Sequence, residues 1–210
     1  MSLSVGYPND GWQRRAKRLK PSRYVKIKPG SQTKSYGHPA LVLMLERSAK
    51  DLGKVAAGSV LMVGDLSDAN GGRLLGHHSH QSGRDADVVF YALDENGKRT
   101  ILDHYVKFGA DGKAVDGSGY VFDDWRNWLL VQSWVRDKRA GLSHIFISRP
   151  LRQRLITYAS KQDGFKKYVS EVSALLKQPE DAEPHDDHFH VRVSCPQDQS
   201  EVCREQSKKD

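Results

Sequence analysis

Two short stretches of this chain concentrate the side chains that bind metals and move protons. The first, GHHSHQSGRDADVVF (residues 76–90), holds three histidines and two aspartates and then runs into an apolar segment. The second, EPHDDHFHVRV (residues 183–193), lies far downstream, and the two together hold six of the nine histidines. A lone histidine is most simply a core or surface residue. Six in two tight groups are harder to explain that way.

Side chains alternate faces along an extended strand. In DHFHVRV, that alternation puts His188, His190 and Arg192 on one face and Phe189, Val191 and Val193 on the other, which belongs in the core. In DADVVF, Asp85 and Asp87 point one way while Ala86, Val88 and Phe90 point the other. His80 precedes them across a loop that turns at Gly83. If the loop folds back, His80, Asp87 and one histidine of the second cluster give N, O, N ligation. That set suits a catalytic Zn²⁺ that keeps a fourth position for water. A thiol-free set also admits other divalent metals. The helical HExxH motif is absent.

The surrounding elements must bring the two clusters together. HPALVLMLERSAKDL (38–52) has helical apolar spacing. GSVLMVG contains a short strand over 59–63, followed by a Gly/Asn/Asp loop. Residues 109–119 form a turn-rich insertion. DDWRNWLLVQSWVRDK starts with two cap candidates, Asp123 and Asp124, and reads as a helix. HIFIS (144–148) reads as a strand, RPLRQRLITYASKQ (149–162) as a helix with proline near its start, and FKKYVSEVSALLKQ (165–178) as one further helix. HFHVRV (188–193) is the last strand. Strands and helices mix without a βαβ rhythm. The fold class is therefore α+β, a small antiparallel sheet flanked by helices and long loops.

The 210 residues suit a single domain over 1–210, with a basic, flexible N-terminal arm over 1–23 and a polar tail over 196–210. Net charge is +7 and mean hydropathy −0.65. A basic chain favours polyanions. No nucleic-acid motif accompanies Arg14, Arg15, Lys17, Arg18 and Lys20, so these read as a solvated arm. No apolar run approaches the ~20 residues of a membrane span. The first residues lack the apolar region of a signal peptide, so none is read in the chain as given, and Met1-Ser2-Leu3 need not be native. The two cysteines, Cys195 and Cys203, lie close together on a polar loop, which suggests a disulfide and an oxidising compartment.

The pattern G-H-x-S-H-x-x-G-x-D-x-D followed by H-x-x-H-x-H resembles the penicillin-insensitive murein endopeptidases, within the wider LAS group of zinc peptidases. Here it is Gly76, His77, Ser79, His80, Gly83, Asp85 and Asp87, then His185, His188 and His190. RYVKIKPGSQTKSYGHPALVLMLERSA, GGRL, DDWRNWLL and HIFISRPLRQRLITYA are similar to that family's framework, over residues 24–195. The resemblance implies an LAS/hedgehog-like zinc peptidase fold and one Zn²⁺ per chain, held by His80, Asp87 and His190. It implies that His188 stands beside the metal-bound water as general base or electrostatic partner and that His77 and His185 line the site. It implies a periplasmic or secreted enzyme that cuts the D,D cross-links of peptidoglycan without a serine nucleophile.

Two alternatives stay open: a D,D- or L,D-carboxypeptidase acting on single stem peptides, and a non-catalytic zinc-bearing wall-binding module. The second leaves His188 without a purpose. A positive partner for a tetrahedral intermediate could be Arg73, Arg84 or Arg192, with Arg192 preferred because it shares a face with His190; all three also read as surface charges or ion pairs. Asp85 reads as the acceptor that fixes a ligating histidine's tautomer, with Asp186 and Asp187 in the same role or simply loop residues. Trp128 reads as core, and a sugar- or peptide-stacking role for Trp125 is a minority reading. His38, His104 and His144, scattered singly, read as structural or surface residues.

Overall fold

The computed structural model describes residues 1–178 and 183–205. The strands are β1 (Leu3–Gly6), β2 (Gly11–Arg14), β3 (Lys17–Arg18), β4 (Val25–Ile27), β5 (Tyr36–Gly37), β6 (Leu61–Val63), β7 (Asp85–Val89), β8 (Ala92–Leu93), β9 (Arg99–Thr100), β10 (Val121–Phe122), β11 (Leu142–Phe146), β12 (Leu176–Lys177) and β13 (His188–Val193). The helices are α1 (Pro39–Val55), α2 (Asp124–Arg136), α3 (Arg149–Ser160), α4 (Asp163–Lys166) and α5 (Val169–Leu175). Several small sheets and five described helices make the class α+β.

One six-stranded sheet, ordered β12-β11-β13-β7-β6-β4, positions everything that follows. Its middle is antiparallel, as the sequence suggests, but both edges are parallel: β4 pairs with β6 and β11 with β12. The central pair is β13 and β7, in the register His188 to Val89, His190 to Asp87 and Arg192 to Asp85. Cross-strand partners share a face with their Cβ atoms ~5 Å apart. That register therefore gathers the two polar half-strands onto one side. The other side is apolar: Ala86, Val88, Ile145, Phe189, Val191 and Val193 are all fully buried.

Helices α1 and α2 cover that apolar side. The helix α1 begins at His38, whose ring accepts from the Ala40 amide, and has proline at its first position. Asp123 caps α2 through the Arg126 amide. Trp134 meets Phe189 edge-on at 5.7 Å, and its indole N–H donates to Ser48 Oγ on α1. Trp128 is core, as its spacing suggests, whereas Trp125 packs beneath the Arg99 guanidinium.

Two sequence expectations need correction. The helix expected over 165–178 is two short helices and a strand. Leu176 is fully buried and pairs with Ile145, so the gain of extending the sheet outweighs local helical preference at that edge. The N-terminal 1–23 is not a flexible arm. Strands β1 and β2 form a hairpin, β3 pairs with β5, and Ser4, Gln13 and Leu19 are buried. Its charges are solvated as expected, but its backbone is held by residues from the other end of the chain. The Gly6 amide donates to Val202 O, and the Ser4 amide to Gln199 Oε1. The polar tail is thus the other half of a clamp, closed by the Cys195–Cys203 disulfide, with Cys203 buried. Residues 206–210 of that tail lie outside the described residues.

Candidate metal centre

Four imidazoles converge on one carboxylate. Asp87 Oδ1 lies 3.3 Å from His80 Nε2, 3.4 Å from His188 Nε2 and 3.6 Å from His190 Nδ1. Its other oxygen lies 3.6 Å from His77 Nδ1. In each ring the opposite nitrogen is anchored elsewhere. His80 Nδ1 donates to the Leu66 carbonyl at 2.6 Å, His77 Nε2 meets Asp65 at 2.9 Å, His190 Nε2 meets Asp85 at 2.8 Å, and His188 Nδ1 meets Asp187. An imidazole fixed by one nitrogen offers the other in a set direction, which is how metal-ligating histidines are held.

The elements explain the convergence. Asp87 and His190 are direct cross-strand partners, and His188 stands two residues before His190 on the same face. His80 comes from the loop before β7 and adopts φ +68°, a left-handed conformation that costs a non-glycine residue on the order of 1 kcal/mol and is held where surrounding structure over-determines it. Asp87 N–H donates to the Asp65 carbonyl, and Gly64 N–H to that of Asp87, so the loop after β6 runs beside the site. At Gly64 a Cβ would fall 2.0 Å from the Tyr105 hydroxyl, so glycine leaves room for that hydroxyl beside the end of β6.

The electrostatics fit a cation. Burial opposes the ionised form of Asp87, but His80 and His188 outweigh it and hold the carboxyl well below its usual range. Burial likewise opposes the charge of Asp85, and Arg192 and His190 more than reverse it. Burial disfavours the His80 and His188 imidazolium forms, yet Asp87 raises both, His188 to about 10 with help from Asp187. Burial lowers His190, and it lowers His185 to about 4. The anionic focus at Asp87 is therefore shared by protons on its neighbours, a place a divalent ion would take over. His80 Nε2 and Asp87 Oδ1 are also buried without a hydrogen-bond partner. Such orphan atoms are costly unless something else satisfies them. The donor set of imidazole and carboxylate suits zinc.

His77, His80 and Asp87 each offer one atom within 4.8 Å of the others, a grouping of possible metal ligands that takes in His77 and not His190. From the sequence, His77 is expected to line the site rather than to hold the ion. His185 joins the group through its ring, 5.3 Å from His188 and 5.6 Å from His190.

The family described as penicillin-insensitive murein endopeptidase matches residues 4–210, more than the 24–195 framework read from the sequence. The chain belongs to that family. Proteins of that name from Escherichia coli and Shigella boydii are each 28% identical over 188 residues, covering 88% of this chain and 63% of their own length. One from Haemophilus influenzae is 30% identical over 186 residues, covering 84% of this chain and 57% of its own. The chain thus spans about three fifths of the length of these curated relatives.

Within this murein-endopeptidase frame, the arginine candidates need revision. Arg73 is exposed on its loop. Arg84 is buried and points toward the C-terminal clamp, bonding Ser82 Oγ, Glu205 and the Arg204 carbonyl. Arg192 donates to Asp85 at 2.6 Å and lies against the Phe146 ring, so it supports the carboxylate behind His190. Asp85 does accept from a histidine, and Asp187 does so for His188. The Asp186 side-chain Oδ1 is buried without a partner.

Sequence reasoning missed Asp65, Tyr105 and Phe146, and treated His144 as unconnected. Asp65 anchors His77 and pairs with Lys34 at 3.0 Å. Tyr105 lies 4.7 Å from the His188 ring, and Phe146 meets His190 edge-on at 5.2 Å. Asp65 and Tyr105 sit in loops with no periodic pattern. Phe146 had a signal, since alternation in HIFIS puts it on the face opposite the buried Ile145.

Proposed function

We propose that this chain is a zinc-dependent murein D,D-endopeptidase that hydrolyses the peptide cross-links of peptidoglycan and works outside the cytoplasm. The observation that carries the reading is the ring of four anchored imidazoles around Asp87, with buried orphan atoms at its centre. The family membership and the names of the relatives support the substrate. The disulfide suits an oxidising compartment, and among the described residues no helix is long and apolar enough to cross a membrane.

In this reading His80, Asp87 and His190 hold the ion. A bound Zn²⁺ supplies a water acidified toward neutrality and a Lewis acid for the scissile carbonyl. His190 is preferred over His77 as third ligand because it is the buried cross-strand partner of Asp87, whereas His77 sits on a loop and is partly exposed. His188 Nε2 faces Asp87 Oδ1 at 3.4 Å, and with an ion taking over that carboxylate's charge it would accept the proton of the attacking water and return it to the departing amine. Asp187 holds that ring in place and stabilises its charged form between the two transfers. Asp85 keeps the proton on His190 Nε2, so that Nδ1 presents a lone pair. His77 and His185 line the site, His77 against His80 and His185 against His188 and His190. No serine or cysteine nucleophile enters this mechanism, which accounts for insensitivity to penicillin.

Digestion of purified cross-linked sacculi, with and without chelator, tests the reading when products are identified by mass spectrometry. Chelator-sensitive conversion of dimeric to monomeric muropeptides is expected. Loss of terminal D-Ala alone would move the activity to carboxypeptidase. Unchanged sacculi with stoichiometric zinc bound would leave a wall-binding module.

A further inference from the structure

The site face of the central sheet continues past the histidines. In the register, Asp87 faces His190, His190 faces Phe146, and Phe146 faces Lys177. These four side chains form one row across β7, β13, β11 and β12. Strands lie ~4.8 Å apart, so the Lys177 backbone stands roughly 10 Å from that of His190. The neighbouring row holds His144 opposite Arg192. The His144 ring stacks on Phe146 at 5.3 Å with an interplanar angle of 14°, and His185 lies 5.8 Å away on another side of Phe146. Phe146, His144 and His185 are only partly buried, and Lys177 is exposed. An aromatic surface thus leads away from Asp87 and ends in an ammonium group. Among the described residues no carboxylate pairs with Lys177.

An apolar residue in such a place needs a reason. Phe146 neighbours the fully buried Ile145 and Ile147, yet it lies on the side where the polar groups converge and stays partly exposed. A peptide lying across it would bury that ring and bring a nearby anionic group to Lys177. We propose that Phe146 and Lys177 form a substrate shelf beside the metal centre, on which Phe146 carries the peptide and Lys177 holds a free carboxylate within one residue of the scissile bond. The shelf rests on the peptidase reading above and adds a requirement to it: the preferred substrate is a peptide left anionic next to the bond that is cut.

The test compares binding of Nα-acetyl-D-alanyl-D-alanine and its C-terminal amide to the zinc-loaded protein by calorimetry, with turnover of a cross-linked muropeptide dimer measured in parallel. The carboxylate form is expected to bind about five- to tenfold more tightly than the amide. Because Lys177 is exposed, its substitutions leave the fold alone. Lys177→Glu is expected to erase the preference and Lys177→Arg to keep it, since guanidinium also binds carboxylates. Phe146→Ala is expected to weaken both forms alike. A preference unchanged in Lys177→Glu would assign the carboxylate to the metal and overturn the shelf. So would equal binding of the two forms by the parent protein, or a Phe146→Ala variant that binds both as before. A Lys177-dependent preference in a protein that cleaves nothing would leave the shelf standing and bring down the endopeptidase reading.

Discussion

The central pair β7–β13 and the clamp between the two chain ends are both made of segments far apart in sequence, but different forces hold them. Strands β7 and β13 bury an apolar face whose larger members are each worth about 2–3 kcal/mol, and that burial lets the opposite face carry five ionisable groups: Asp85, Asp87, His188, His190 and Arg192. The clamp has little apolar surface to bury. It rests on hydrogen bonds such as Ser4 N–H to Gln199 Oε1, Gln199 Nε2 to Ser2 O and Arg204 N–H to Gly6 O, and on one disulfide. Chemistry is therefore lodged where the fold is strongest, while the ends are held by polar and covalent ties that reach the loop before β7 through Gln81, Ser82 and Arg84. Damage at the two places should look different.

The largest separation is expected at Asp87. An Asp87→Ala variant should lose bound metal and fall to background hydrolysis while remaining folded, because the apolar side of β7 is untouched; elemental analysis and circular dichroism check this together. His188→Ala divides the site itself. Turnover should fall by roughly 10²–10⁴-fold, the range of a general base, with metal content unchanged. Equal loss of metal and turnover would make His188 a ligand instead.

The clamp should behave in the opposite way. Replacing both Cys195 and Cys203 with serine reopens a short loop in the unfolded chain and should cost roughly 2–3 kcal/mol of stability. The folded fraction should keep its kcat, measured below the lowered Tm. A fall in kcat at full folding would show that the ends reach the metal through Arg84, whose guanidinium joins the tail to the residue next to Asp85.

Asp85 is the place where the two kinds of support meet, since it holds both His190 and Arg192. Asp85→Asn keeps the shape but removes the charge that fixes the His190 tautomer. Metal affinity should weaken by about 10–100-fold, as read by competition with a chromophoric chelator. A change smaller than twofold would reduce Asp85 to a partner of Arg192.

How far the sequence discloses each region follows from the same division of forces. In β7 and β13 one face must be apolar, so a period of two assigns Asp85, Asp87, His188, His190 and Arg192 to the other without any tertiary knowledge. The cap of α2 is local as well and is disclosed by Asp123, whereas His38, read as a lone structural or surface residue, proves to cap α1. The clamp left no such trace. Strands of two to four residues with single buried positions, Ser4 or Gln13, lack a period, and their partners lie at the opposite end of the chain. Leu176 shows a third situation, a residue whose local pattern is helical and whose conformation is decided by Ile145 across a parallel edge. Asp65 and Tyr105 came to light only through folding, because a loop can bring any residue to a site and periodicity says nothing about which.

The smallest expected effect lies at His144, on the same site face but outside the metal cluster. Burial, then the cations of Lys177 and Arg192, lower this imidazole to about 4 in the fold, against ~6.5 in an unfolded chain. Between those values the unfolded chain takes up a proton that the folded one refuses. Stability from this group is thus complete above pH ~6.5 and is lost as pH falls toward ~4. With allowance for the half-exposed ring, the difference between pH 7 and pH 5 is about 1 kcal/mol at most. His144→Gln should flatten that part of the stability curve, as followed by urea unfolding at the two pH values. Lys177→Glu should shift the His144 titration upward in an NMR experiment, but only in part, because burial and not Lys177 is the larger cause. A titration that does not move would mean that the ammonium is turned away from His144, which would also remove Lys177 from the aromatic row that leads to Asp87.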